Sequence, residues 1–111
     1  MPDTETRAVL FHGLADPRRL HLIEALAGGP HRVNDLATAT GLPQPSVSKH
    51  LSCLWDCGLV EREQRGREVY YRLAPGLAAL LRATDPILLR SGDRIRACQR
   101  YGRLVTISEA A

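Results

Sequence analysis

The sequence of 111 residues predicts a mainly helical fold with a β-hairpin wing, the winged helix-turn-helix. Three observations predict it. Two stretches of helical periodicity meet at the tight turn Gly41-Leu42-Pro43, a stretch of period two reverses at Arg65-Gly66, and helical periodicity returns from about Pro75. Two helices with so short a joint form a helix-turn-helix, and a hairpin that follows them is its wing. The length suits a single domain over 1–111, with about 8–100 ordered and the last eight or so residues loosely held. So short a helical chain has little burial in reserve, and a second copy is expected to supply more.

From Thr4 to Phe11 a short apolar run predicts a first helix ended near Gly13. In "LADPRRLHLIEALAGGP" Asp16 suits a cap and Pro17 a first helical turn. Leu20, Leu22, Ile23, Leu26 and Ala27 then recur at helical spacing until Gly28-Gly29-Pro30. Asn34 is the expected cap of the next helix. The second helix of the pair is placed over 44–57, with Val47, Leu51 and Leu54 inward and Pro45, Ser48, Lys49 and Ser52 away from that stripe. In the hairpin, Val60, Arg62 and Gln64 alternate with Glu61 and Glu63, and Val69, Tyr71 and Leu73 alternate beyond the glycine. Leu77, Leu80, Leu81 and Leu88 share a stripe of the last helix, a candidate dimer seam together with the first helix. Pro86 lacks a backbone donor and is expected to kink or restart that helix.

No apolar run approaches the roughly 18 residues of a membrane span, and "MPDTETRAVLFHG" lacks a basic region followed by a long apolar one. The expectation is a cytoplasmic protein with no membrane partner. In a reducing compartment an odd set of three cysteines argues for free thiols or metal ligands rather than a disulfide framework. The net charge of +3 and pI near 9.1 favour a polyanionic partner. Of 15 basic residues only Lys49 is lysine; arginine suits phosphate, although solvated arginine is the ordinary alternative. A phosphate-cradling glycine loop, a Cys-x-x-Cys pair and a nucleophile with its own base are all missing, so no enzyme is expected. His12, His21 and His31 read as surface or satisfied interior histidines, and Trp55 as a packing residue.

Short hydroxyls and one cation toward the start of the second helix suit base edges and phosphates in a major groove. The candidate DNA contacts there are Gln44, Ser46, Ser48, Lys49 and His50, although Ser46 taken alone reads as a cap. At the hairpin tip "QRGRE", Arg65 and Arg67 can reach backbone phosphates or an adjacent minor groove. A single module reads few base pairs. The expected partner is therefore double-stranded operator DNA with an inverted repeat, bound by a homodimer.

Cys53 and Cys57 are four residues apart and face the same way on adjacent turns, on a flank shared with Ser46 and His50. A third sulfur exists only at Cys98, 41 residues beyond Cys57. Three sulfurs suit a thiophilic ion such as Cd(II), Pb(II) or As(III) better than structural zinc, which takes four N/S ligands. Core packing of cysteine as a small hydrophobe is the competing reading. A disulfide between Cys53 and Cys57 is poorly oriented on a continuous helix.

The stretches "LADPRRLHLIEAL" and "LPQPSVSKHLSCLWDCGLVEREQRGREVYYRL", with the helical ends, resemble the ArsR/SmtB family of metal-responsive winged-helix repressors over roughly 8–100. Asp16 through Leu20, and the run Ser46 to Leu51 followed by Gly58-Leu59-Val60, carry the resemblance. Cysteines four apart in the recognition helix plus one near the C-terminus resemble the CmtR-like branch of cadmium and lead sensors. The resemblance implies a dimeric apo form whose operator affinity falls when Cys53, Cys57 and a partner's Cys98 take up metal. Arsenite- or oxidant-responsive repression, or structural cysteines without metal, are the alternatives. The chain departs from other branches: "VNDLA" lacks a CxC motif in the first helix of the pair, and "LAPGLAAL" lacks the Asp and His of zinc-sensing members.

Overall fold

The computed structural model describes residues 3–102, and its elements follow from local chemistry. They run α1 (Thr4–Leu14), α2 (Pro17–Leu26), α3 (Val33–Thr40), α4 (Gln44–Asp56), β1 (Val60–Arg65), β2 (Glu68–Leu73) and α5 (Leu77–Arg96). Asp3 caps α1 by accepting from the Thr6 N–H at 2.7 Å. The helix passes through Gly13 instead of ending there, because one interior glycine costs only about 1 kcal/mol and Leu14 is buried in the core. Asp16 caps α2 through the N–H groups of Arg18 (2.9 Å) and Arg19 (3.3 Å), with Pro17 at the first helical position. Leu22, Ile23 and Leu26 are buried, whereas Leu20 is half-buried and Ala27 exposed, so the inward stripe is narrower than its spacing suggests.

Asn34 does not cap α3. Arg32 holds the cap position, and its N–H donates at 3.1 Å to Asp35, whose carboxylate also takes the Arg32 guanidinium. An acid in the third helical position reaching back to the cap N–H satisfies that donor, so a polar cap further on is unnecessary. Gly41, at φ 74°, ends α3 in the left-handed region, and buried Leu42 leads into α4. Helix α4 stops at Asp56, with Cys57 as its cap, one residue short of the expected 44–57 span.

The hairpin pairs antiparallel from Val60↔Leu73 to Arg65↔Glu68, turning at Gly66 and Arg67. At its base His31 exchanges two backbone hydrogen bonds with Tyr71 (3.0 and 2.8 Å), anchoring the wing to the loop before α3. Helix α5 starts at Leu77, after Gly76 at φ 93°, and remains one helix through Pro86, which forfeits a single i→i−4 bond without restarting it.

The core gathers Leu14, Leu22, Ile23, Leu26, Leu36, Leu42, Val47, Leu51, Leu54, Val60 and Leu77. The expected leucine stripe of α5 divides. Leu77 is buried, Leu80 and Leu81 pack partly on the core, and Ile87, Leu88, Leu89 and Ile95 face solvent. With most of α5 standing off the core, the radius of gyration is 14.9 Å against about 13 Å for a compact chain of about 100 residues. No described helix is long and apolar enough to cross a membrane. The expectation of a loosely held tail concerns residues 103–111, which lie outside the described residues.

Candidate nucleic-acid interface and thiol pair

Fully buried Val47 and Leu51, with Leu54 beside them, set the rotation of α4. Gln44, Pro45, Ser48, Lys49 and Ser52 are thereby exposed on its outer side. Ser46 and His50, both 8% exposed, turn inward with the core, so the predicted contacts divide into an outer set of Gln44, Ser48 and Lys49 and an inner pair. Ser46 is no cap either. Pro43 holds that position, and the buried Ser46 hydroxyl has no partner among the described residues. Burial lowers the His50 pKa below the ordinary histidine value; Asp16 opposes this, while Arg18, Arg19 and Lys49 add to it. On the inner side of α4, the His50 imidazole thus favours its neutral form. Burial also raises the Asp16 carboxyl, but the N–H donors of Arg19 and Arg18 and their charges outweigh it and hold Asp16 below the usual range.

Strand register sorts the wing chemically. Glu61, Glu63, Arg65, Glu68, Tyr70 and Arg72 share one face, and Val60, Arg62, Gln64, Val69, Tyr71 and Leu73 the other. On the first face Arg72 binds Glu61 and Glu63 at 2.9 Å each, and Arg65 binds Glu63 at 3.0 Å while stacking on Tyr70 at 4.4 Å. Exposed pairs of this kind add little stability, but they occupy the wing's carboxylates. They hold the Glu63 carboxyl below and the Arg65 guanidinium above their ordinary values. Glu68 takes Arg32 at 2.9 Å, tying the wing to the start of α3. Of the two tip arginines, Arg65 is thus engaged within the wing, and Arg67 makes no ion pair among the described residues.

On the second face the Arg62 guanidinium lies 4.0 Å over the Trp55 ring. Trp55, expected to pack, is 39% exposed. Sequence reasoning passed over this pair, although the alternation of Arg62 and Gln64 with Glu61 and Glu63 carried the signal.

Both Cys53 and Cys57 are exposed free thiols, and the Cys57 N–H donates to the Cys53 carbonyl at 3.2 Å, so the turn joining them is unbroken. Their flank of α4 lies opposite the one bearing Gln44 and Trp55. Cys98 lies just past α5, where the backbone N–H groups of Tyr101, Arg100 and Gly102 lower its thiol pKa. It borders an open cavity of about 360 Å³ with Ser91, Arg94, Ile95 and Tyr101. Among the described residues no three His, Cys, Asp or Glu side chains gather as a ligand set. Within one chain the fold therefore does not bring Cys98 to Cys53 and Cys57. The other histidines stand apart: His12 is exposed, His21 has a buried Nδ1 with no hydrogen-bond partner among the described residues, and His31 Nδ1 lies 2.7 Å from the Gly29 carbonyl.

The family model for the bacterial regulatory proteins of the arsR family matches residues 16–62, from the cap of α2 into β1. The chain is 34% identical over 100 residues to the probable mercury resistance operon repressor of Streptomyces lividans, across 89% of this chain and 78% of that protein. It is 46% identical over 67 residues to the transcriptional regulator CmtR of Mycobacterium tuberculosis, spanning 60% of this chain but only 57% of that protein. The solved structure of CmtR, a cadmium metal-sensor, superimposes with a TM-score of 0.64 at 40% identity, covering 73% of this chain and 85% of that one. A homodimeric winged helix-turn-helix DNA-binding domain from Mycobacterium bovis matches with a TM-score of 0.61 at 32% identity, over 82% and 91%. Helix pair, wing and sequence agree along the same stretch, and the chain belongs to the ArsR family of DNA-binding transcriptional regulators.

Proposed function

We propose that the chain is a cytoplasmic metal-sensing repressor, one domain over 1–111. It binds an inverted-repeat operator as a metal-free homodimer and releases it on capturing Cd(II) or Pb(II) through Cys53, Cys57 and the Cys98 of a partner subunit. The observation that carries this reading is the pair of exposed thiols one turn apart at the end of α4, on the flank of the reading element. Two such sulfurs fit a soft ion, and similarity to a cadmium sensor and a mercury resistance repressor points to the same ligand chemistry. No set of three such ligands gathers among the described residues of one chain, which supports a third sulfur supplied by a second copy.

Exposed Val9 and Phe11 of α1 and Ile87, Leu88, Leu89 and Ile95 of α5 supply an apolar seam for that copy, and a similar domain is homodimeric. Gln44, Ser48 and Lys49 meet the DNA, with Arg65 and Arg67 of the wing on its phosphates. Ser46 and His50 act from beneath by seating α4. Cys53 and Cys57 tether the recognition helix to the partner's α5 terminus once the ion is held. By linkage, DNA must then weaken metal binding by the same factor, commonly about 5 to 150-fold.

The test is a cadmium or lead titration of the reduced protein, with and without a duplex from the region upstream of its own coding sequence. Sulfur-to-metal charge-transfer absorption should saturate at one ion per subunit as the duplex is released. Cys53→Ser and Cys57→Ser should each abolish release and spare apo binding, as should Cys98→Ser, which alters no residue of α4. Release by the Cys98 variant at the same metal concentration would overturn the three-thiolate switch. Absence of the absorption band would leave arsenite, oxidants or structural thiols.

A further inference from the structure

A helix about 10–12 Å across nearly fills a major groove about 12 Å wide, so the flanks of a recognition helix face the two phosphate strands that border the groove. One flank of α4 carries the thiols. The other carries Gln44, Ser48 and Trp55, spaced four and seven residues apart, and it meets the inner face of the wing. Between them lies an open concave corner of about 410 Å³ lined by Trp55, Arg62, Gln64 and Val69.

We infer that this corner, built by Trp55, Arg62 and Gln64, is a binding site for a backbone phosphate of duplex DNA. The assignment rests on the repressor reading and adds to it a contact point that is neither on the crest of α4 nor at the wing tip. Charge sorting within the hairpin is the first argument. Glu61, Glu63 and Glu68 all lie on the outer face, each held by an arginine (Arg72, Arg65 or Arg32), while the inner face presents one guanidinium and one amide and no carboxylate. The wing's inner face thus offers a polyanion no like charge.

The state of Arg62 is the second argument. It pairs with no acid among the described residues, and its guanidinium carbon lies 4.0 Å from the centroid of the Trp55 indole. A guanidinium that meets an indole by its face keeps the N–H donors of its edge for a ligand, the fork that matches two phosphate oxygens. A partly immobilised arginine also loses less rotamer freedom on binding than a solvated one. Gln64, two residues along the same strand face, donates one amide N–H to the Gly66 carbonyl at 2.7 Å, which braces the turn and leaves the second amide N–H as a donor for a phosphate oxygen. Trp55 is therefore a positioning residue and Arg62 the phosphate contact.

The experiment measures duplex affinity of the full-length reduced, metal-free protein as a function of salt, using the duplex from upstream of its own coding sequence and a mixed-sequence duplex. Loss of one phosphate contact lowers the slope of log affinity against log salt by about 0.9, hence roughly 1.8 for a dimer. Arg62→Gln should show that loss on both duplexes, because a phosphate carries no sequence information. Arg62→Lys should keep the slope, and Trp55→Leu should keep the slope while weakening binding. On DNA binding the native Trp55 emission should change, and that change should shrink in Arg62→Gln. Equal slopes and affinities for native and Arg62→Gln protein, with native protein still binding DNA, would overturn the phosphate site and leave the repressor reading standing. A native protein that binds neither duplex at low salt would overturn both.

Discussion

Replacing Asp16 tests how the reading element is held from below. Its carboxylate caps α2 through two backbone N–H groups and lies 3.6 and 3.7 Å from the guanidinium groups of Arg19 and Arg18. Loss of an N-cap side chain costs about 1 kcal/mol, within about 0.5–2, and the two long, partly exposed ion pairs add at most about 1 kcal/mol together. Asp16→Ala should therefore destabilise by about 1–2 kcal/mol. Asp16→Asn keeps an oxygen for the same N–H groups and should lose only a few tenths. Urea unfolding at fixed protein concentration reads this as a drop in midpoint of about 0.5–1 M for the alanine variant, at an m-value of about 2 kcal/mol/M. The depressed native pKa adds a signature. An acid whose folded value lies below its unfolded one stabilises fully above the unfolded value near about 3.9, and the contribution fades as pH falls through the folded value. The gap between native and alanine protein should thus be complete at neutral pH and close in acid. An unchanged midpoint for Asp16→Ala, or an asparagine variant as weak as alanine, would refute the capping argument.

Leu51→Ala empties a fully buried position under the reading face and should cost about 2–5 kcal/mol by the same urea assay. His50 is kept neutral by burial, so the unfolded chain binds the extra proton and stability should fall as pH drops below about 6.5; His50→Gln should flatten that dependence. The Cys98 thiol, lowered by backbone donors, should be alkylated with a pH midpoint below that of an ordinary cysteine. Gly102→Ala, whose added Cβ would collide with the Arg96 carbonyl, should shift that midpoint upward by opening the turn.

The helix pair, the wing and the recognition helix were legible in the sequence because their signals are local. Asp16-Pro17 is a cap with its first turn, Gly41 a left-handed stop, and the change of period at Val60 a change from helix to strand. The alignment of Cys53 with Cys57 likewise needs only helical geometry. Other features were not legible. The cap of α3 depends on Asp35 folding back to Arg32, whose guanidinium a strand 36 residues away also claims through Glu68.

Helical spacing alone puts Ser46, His50, Cys53 and Cys57 on one flank of α4. Which of them is covered depends on what packs there, and Ser46 and His50 are buried while both thiols stay in solvent. Trp55 reads as a packing residue in the sequence, and only the wing's inner face, set by strand register, places Arg62 over its ring. Periodicity also cannot divide the leucine stripe of α5 into a half that packs on the core and a half that does not. Sequence determines conformation through interactions a few residues long, whereas the exposure of a flank, the partner of a charge and the distance between Cys98 and the α4 thiols are settled by packing between segments far apart in the chain.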